Sequence, residues 1–275
     1  MFSYVGGFVL LAALLHATWN AMLHGNRDRF LSMTWMCTST GLVALIALPF
    51  LPMPAAPAFP YIIASGLVHI VYSVSLVYAY RSGDLGETYP IARGSSPLLV
   101  AVGAALFARE HLGWLPLAGV LLVSGGIISL ALERGRVSLG GASAAFLTGA
   151  TIAVYTVIDG MGVRVSGNAV AYTAWMFAFF LLMPLVFIAV RGVAGLRAPL
   201  AAIGQSAGGG MVSIAAYGIV IWAMQFGAMG AVSALRETSV VFAALIGRMF
   251  LNERLSFRRI ASCCVIALGA ICIGA

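Results

Sequence analysis

The sequence predicts an all-α integral membrane protein whose ten transmembrane helices form two inverted five-helix repeats. Three observations predict it. Of the 275 residues, 62% are hydrophobic and 8% charged, and the mean hydropathy is +1.04, a balance that would leave a soluble domain with an aggregating apolar surface. Apolar runs of about 20 residues, long enough to cross a hydrocarbon core of roughly 30 Å, succeed one another with breaks of only a few residues. Finally, the stretch IARGSSPLLVAVGAALFAREHL (91–112) reappears as ALRETSVVFAALIGRMFLNERL (234–255), pairing Arg93 with Arg236, Ser96 with Ser239, Phe107 with Phe250, Glu110 with Glu253 and Leu112 with Leu255.

The first span, 3–23, is too long for a signal-peptide core and lacks a basic leader, so it is expected to stay in the mature protein. It is interrupted by His16, Thr18, Trp19 and Asn20. The second, 31–51, carries Cys37. The third, 59–81, contributes Ser65, His69 and Tyr72, then Tyr78 and Tyr80. The fourth, 88–108, holds Arg93 between Pro90 and Pro97, which predicts a break or hinge there. The fifth, 112–132, completes the first half. The sixth, 139–158, offers Thr148, Thr151 and Tyr155; the seventh, 169–190, Tyr172 and Trp175; the eighth, 200–224, Ser213, Tyr217 and Trp222, followed by Gln225. Arg236 stands beside Glu237 in the ninth, 229–250. The tenth, 257–274, holds Cys263, Cys264 and Cys272, which together with Cys37 show no zinc-ligand spacing and read as small buried hydrophobes.

Five spans per half, an odd number, force the second half into the membrane upside down relative to the first, so the expected units are residues 1–136 and 137–275. A looser match sets HATWNAMLHG (16–25) over TIAVYTVIDG (151–160) and pairs Asn20 with Tyr155. Inverted repeats are a common architecture of alternating-access transporters, with the substrate site near the midplane between the halves. The net charge is +7 and all fifteen basic residues are arginine. Arg27, Arg29, Arg81, Arg134, Arg136, Arg191, Arg197, Arg254, Arg258 and Arg259 fall in alternate connections, against Arg109 and Arg164 in the others. Basic residues accumulate on the cytoplasmic side, so both termini are expected to be periplasmic. The lack of lysine points to a GC-rich bacterial genome and hence to a bacterial inner membrane. No GxxxxGK[ST] loop occurs, and no connection is long enough for a nucleotide-binding domain, which excludes an ATP-driven pump on this chain.

His16, Trp19 and Asn20 share one helix face, and polar groups in hydrocarbon are costly enough to point into a bundle or a wet cavity. One reading makes them interhelical bonds worth roughly 0.6 kcal/mol each. The other makes them a cavity wall, which four polar groups within five residues favour. With His69, Tyr72, Tyr78, Tyr155, Trp175, Tyr217 and Trp222 they are the candidate substrate-binding residues. Aromatic walls with a few hydrogen-bonding groups suit an amphipathic organic solute, the rings offering stacking or cation–π contact. They suit a phosphate ester poorly, since no basic cluster lies at midplane. Tyr4, Tyr61 and Trp114, near span ends, read as an interfacial belt.

Arg93 lies about two turns into its span and Arg236 at the matching depth from the opposite side, each near one mouth. They are candidate gate or charge-pair residues, with Glu87, Asp84, Asp159 and Glu237 as counter-charges; snorkelling or a structural ion pair is the alternative. No carboxylate falls in the first span or in 139–158, so a coupled proton would have to ride on Glu237, His16 or His69. An uncoupled facilitator fits equally. No cofactor and no metal site is expected.

HATWN in the first span, GDLGETYPIARGSSP leading into the fourth, and the endings FAREHL and FLNERL resemble, over the whole chain, the ten-helix members of the drug/metabolite transporter superfamily with paired EamA-type domains. The resemblance implies a secondary transporter rather than an enzyme, most similar to bacterial exporters of amino acids, aromatic ones included. Import, or movement of another small metabolite such as an aminophosphonate or a drug-like cation, stays open. An intramembrane enzyme is the remote alternative: His16 and His69 could act as bases, but no HExxH, GxSxG or paired aspartates accompany them. The expected partners are a small amino-acid-like solute and the lipid bilayer, with no nucleic acid. Because the duplication supplies both halves of a pore, a monomer is expected to suffice.

Overall fold

A computed structural model describes residues 2–24, 26, 28–82, 85–131, 139–250 and 256–275. Helix α1 spans Phe2–His24, α2 Arg29–Ala47, α3 Phe59–Ser82, α4 Leu85–Phe107, α5 Trp114–Ala131 and α6 Leu139–Val165. Then come α7 Ala169–Ala178, α8 Met183–Arg191, α9 Leu200–Ala223, α10 Met229–Glu237, α11 Ser239–Phe250 and α12 Phe257–Gly274. Helices α7 and α8 together make one span, as do α10 and α11, so among the described residues ten spans are long and apolar enough to cross a membrane. No strand occurs among the described residues. Three helix starts have side-chain caps: Asp28 accepts the Leu31 N–H at 3.1 Å, Asn168 that of Ala171 at 2.9 Å and Ser256 that of Arg259 at 3.1 Å, each satisfying a donor that the first helical turn leaves open.

Three local expectations are corrected. The sixth helix does not stop at 158 but runs to Val165, which draws Asp159 out of a loop and into the bundle. Helix α4 is continuous through Pro90 and Pro97. The carbonyl of Arg93, which Pro97 deprives of its helical N–H partner, receives the Ser96 hydroxyl instead at 3.2 Å. The interruption falls in the repeat mate, at Thr238 between α10 and α11. There the Thr238 hydroxyl bonds back to the Leu235 carbonyl at 2.6 Å, a competition that bends helices. The seventh span is also interrupted, by a 3₁₀ turn at Phe179–Leu182 just before Pro184, whose ring has no N–H for the carbonyl four residues back.

Much of the packing comes in matched sets, as expected of an inverted repeat. Taking α1 with α6, α2 with α7–α8, α3 with α9, α4 with α10–α11 and α5 with α12, the contact of α4 with α6 has its mate in α1 with α10 and α11. The contact of α1 with α9 likewise has its mate in α6 with α3, and α2 with α9 in α7 with α3. Pairs that map onto themselves, α5 with α12, α4 with α10 and α2 with α7, join the two halves. The tightest approach is α5 on α12: a Cβ added to Gly119 would meet the Gly269 carbonyl oxygen at 2.6 Å, and one added to Gly269 would meet the Gly119 carbonyl oxygen at 2.8 Å. Such backbone-to-backbone packing replaces the hydrophobic effect as the source of helix association in lipid. The boundary expected at 136/137 lies outside the described residues.

Candidate functional site

Near the middle of the bundle a cavity of about 60 Å³ is lined by side chains of both halves. Helix α1 brings His16 and Trp19, α2 Met33, Met36 and Cys37, and α3 His69, Tyr72 and Ser73. From the second half come Tyr155 of α6, Phe177 of α7, Phe180 of the 3₁₀ turn, Ser213 and Tyr217 of α9, and Arg236 of α10. The rings form a continuous wall: His69 lies 4.0 Å from Tyr155 and 5.2 Å from Tyr217 between ring centroids, and Tyr155 stands edge-on to Tyr72 at 5.3 Å and to Tyr217 at 5.7 Å. Phe180 closes it at 5.6 Å from His69. Apart from the closer His69–Tyr155 contact, these are the separations at which aromatic pairs attract beyond their buried area.

Ordered hydrogen bonds hold this wall. His69 Nδ1 sits 3.1 Å from the Ser65 hydroxyl and 2.9 Å from the Ser65 carbonyl, which fixes its ring against Tyr155. The Trp19 indole N–H donates to His16 Nδ1 at 3.2 Å, with the two rings edge to face. Asn20 donates to the carbonyl of His16 in its own helix at 2.9 Å. The polar run in α1 therefore does two things: Trp19 and His16 face the cavity, and Asn20 is buried behind them.

A buried ion network forms the cationic side. Glu237, which is fully buried, accepts Arg93 Nη1 at 3.1 and 2.9 Å on its two oxygens, and Arg236 Nε and Nη2 at 3.1 and 2.9 Å on Oε1. Arg93 Nη2 also contacts His16 Nε2. The two arginines were expected near opposite mouths; the structure gathers both on one carboxylate, because α4 and α10 cross at the point where the repeats meet. Burial makes the gathering necessary, since a charge taken from water must be paired and hydrogen-bonded to be tolerated. Of the pair only Arg236 lines the cavity.

Asp159, expected with Glu237 as a counter-charge to the arginines, is not the ion-pair partner of Arg236, which pairs with Glu237. It is fully buried in α6 and accepts the Tyr172 hydroxyl on Oδ1 at 2.9 Å and the Tyr217 hydroxyl on Oδ2 at 2.6 Å. Three other expected site residues stand apart. Tyr78 is 64% exposed on the perimeter, where hydrocarbon suits its ring. Trp175 packs edge-on to Phe59 at 5.5 Å, and Trp222 packs on Tyr4, Phe8 and Phe226. Their helices turn these positions away from the axis. Asp84 and the side chain of Glu87 lie outside the described residues. Met33, Met36, Cys37, Thr40, Ser73, Phe177 and Phe180 line the site without having been expected there; an apolar wall residue carries no signal that separates it from a lipid-facing one, and a lone hydroxyl none that separates it from one bonded to backbone, as Thr40 and Ser73 are.

At one end of the bundle a second ion pair ties the halves together. Arg164, near the end of α6, meets Glu110 at 2.5 Å and donates to the carbonyls of Met224 and Gly227 at 2.9 Å each. Glu110 in turn accepts the N–H of Met229, the first residue of α10, at 2.9 Å, a carboxylate on the positive end of a helix dipole. Arg109, at φ 53°, supplies the left-handed turn that aims Glu110 there.

Residues 139–275 match the EamA-like transporter family. The second half is an EamA-like transporter domain, and the chain belongs to that family. It is thereby a multi-pass membrane transporter of small solutes. A solved crystal structure described only as that of a protein shares the fold, with a TM-score of 0.73 at 20% identity, covering 98% of this chain and 95% of that one. No curated protein matches the chain.

Proposed function

We propose that this EamA-family chain exports small amphipathic solutes bearing a carboxylate, foremost amino acids and among them aromatic ones, by alternating access between its five-helix halves. The observation that carries this reading is the midplane cavity: the Arg236 guanidinium on one side faces a wall built from His69, Tyr155 and Tyr217. With Nε and Nη2 held on Glu237, the Arg236 guanidinium offers a carboxylate its positive charge at the cavity wall, and the rings offer stacking to a side chain and cation–π contact to an amine. A drug-like cation without an acid group would meet the wrong charge. At about 60 Å³ the cavity is far below the roughly 300–1,000 Å³ of ligand pockets, so a solute enters only after the halves part. Both halves already line it in one chain, so a monomer is the working unit, in a bacterial inner membrane with periplasmic termini.

The test is counterflow in proteoliposomes, in which labelled solute enters vesicles preloaded with unlabelled solute. The panel pairs each amino acid with its decarboxylated amine and adds an aminophosphonate, whose anionic head suits the same guanidinium. Exchange of acids over amines supports the reading. Equal exchange of both, or no exchange across the panel, sinks it.

A further inference from the structure

Among the described residues, each buried or half-buried carboxylate but one has a cation: Glu237 has Arg93 and Arg236, Glu110 has Arg164, and the more exposed Asp28 has Arg191. The exception is Asp159, fully buried, with two phenols and no arginine within ion-pair distance. A carboxylate so placed is held as an anion only by hydrogen bonds, and taking up a proton removes the charge that burial penalises. Glu237 is unsuited to that exchange, because two guanidinium groups share its oxygens.

The surroundings of Asp159 are these. Helix α7 presents Tyr172, α9 Tyr217, α3 the hydroxyl of Ser65, which also meets His69, α6 itself Tyr155, and α10 the more distant Arg236; α4 carries Arg93, engaged on Glu237. Tyr217 belongs to both environments, since its ring lines the cavity while its hydroxyl holds Oδ2 of Asp159. That ring is the part of the cavity wall whose hydroxyl is bonded to Asp159, and so the place where a solute in the cavity would bear on the bond at Oδ2. The remaining length of α6 to Val165 is six residues, about 9 Å of helix rise, so the carboxyl lies close to the end of the bundle that Arg164 and Glu110 fasten.

We infer that Asp159 is the proton-binding site of a proton-coupled transport cycle, exchanging its proton with water when that end opens and coupled to the solute through Tyr217. The step is a plain protonation: an O–H bond forms on the Asp159 carboxylate as a hydronium gives up its proton, and the reverse occurs in the other half of the cycle. A tyrosine hydroxyl, donor and acceptor at once, turns to accept the new O–H. This inference rests on the transporter reading above and adds to it a driving ion.

The experiment compares wild type with Asp159→Asn, which keeps the shape and an acceptor oxygen, in proteoliposomes carrying a pH-sensitive dye. Wild type should accumulate the amino acid under an imposed pH gradient and move protons with it. Asp159→Asn should keep counterflow at matched pH within about twofold and lose gradient-driven accumulation by tenfold or more. Wild-type exchange indifferent to the gradient, or a variant still driven by it, overturns the inference while leaving the transporter reading intact; wild-type counterflow absent across the panel overturns the transporter reading itself. A second readout is independent of the cargo. The pH-difference infrared spectrum of reconstituted protein should show a protonated carboxyl band that disappears in Asp159→Asn and moves to higher frequency in Tyr217→Phe. No such band overturns the inference.

Discussion

Replacing Glu237 by glutamine keeps the volume of the side chain and removes the one anion between two buried arginines. In the native protein Arg93 is 3% and Arg236 1% exposed, and their four contacts with the carboxylate run from 2.9 to 3.1 Å. Glutamine offers one acceptor oxygen where the carboxylate offers two, so at least one guanidinium N–H would face an amide N–H. Leaving buried charge unpaired costs about 3–5 kcal/mol. At roughly 2–4 °C per kcal/mol for a chain of this size, the melting temperature should fall by about 6–20 °C. The assay is thermal melting of purified protein in detergent, followed by a double-mutant cycle with Arg93→Gln. If the network is a Coulombic unit, the double variant should be less destabilised than the sum of the singles by about 1 kcal/mol or more. A fall below about 3 °C, or simple additivity, would refute the reasoning and mean that water reaches the arginines in the native state.

Three further outcomes follow from the same geometry. Ser213→Leu places a branched apolar side chain in a cavity of about 60 Å³, room for about two waters; counterflow should drop at least tenfold while melting moves by less than about 3 °C. Tyr78→Ala, at a position 64% exposed on the perimeter, should leave transport within about twofold of wild type; a large loss would place the substrate path elsewhere. Gly119→Leu drives a side chain into the Gly269 carbonyl, 2.6 Å from the new Cβ, and overpacking of this kind costs about 1–3 kcal/mol. It should lower the melting temperature, with Gly125→Leu, where a Cβ meets nothing within 4 Å, as the unaffected control.

Much of the site was legible one residue at a time. His16, Trp19, His69, Tyr72, Tyr155, Tyr217 and Arg236 are polar or aromatic side chains in runs that otherwise suit lipid, and the structure brings all seven to one cavity. Tyr78, Trp175 and Trp222 looked the same in sequence and point elsewhere, because an aromatic ring is equally at home in a cavity wall, a helix interface or a lipid boundary. The sixth helix outruns its apolar stretch for a related reason. Asp159 and Arg164 read as loop residues, yet α6 continues through both, since Tyr172, Tyr217, Glu110 and the carbonyls of Met224 and Gly227 receive them.

What the sequence determined by itself is the number of spans, their order and the duplication. Transfer of a side chain from water to hydrocarbon is a property of that side chain, so summed over about 20 residues it can be read along one dimension. Which charges meet is another matter. Glu237 and Arg93 are 144 residues apart, and Glu110 reaches Met229 across 119. Only the tertiary structure decided that both arginines share one carboxylate while Asp159 has two phenols. Partner choice in a low-dielectric interior depends on distances of a few ångströms between helices, and those distances arise when the repeats pack against each other.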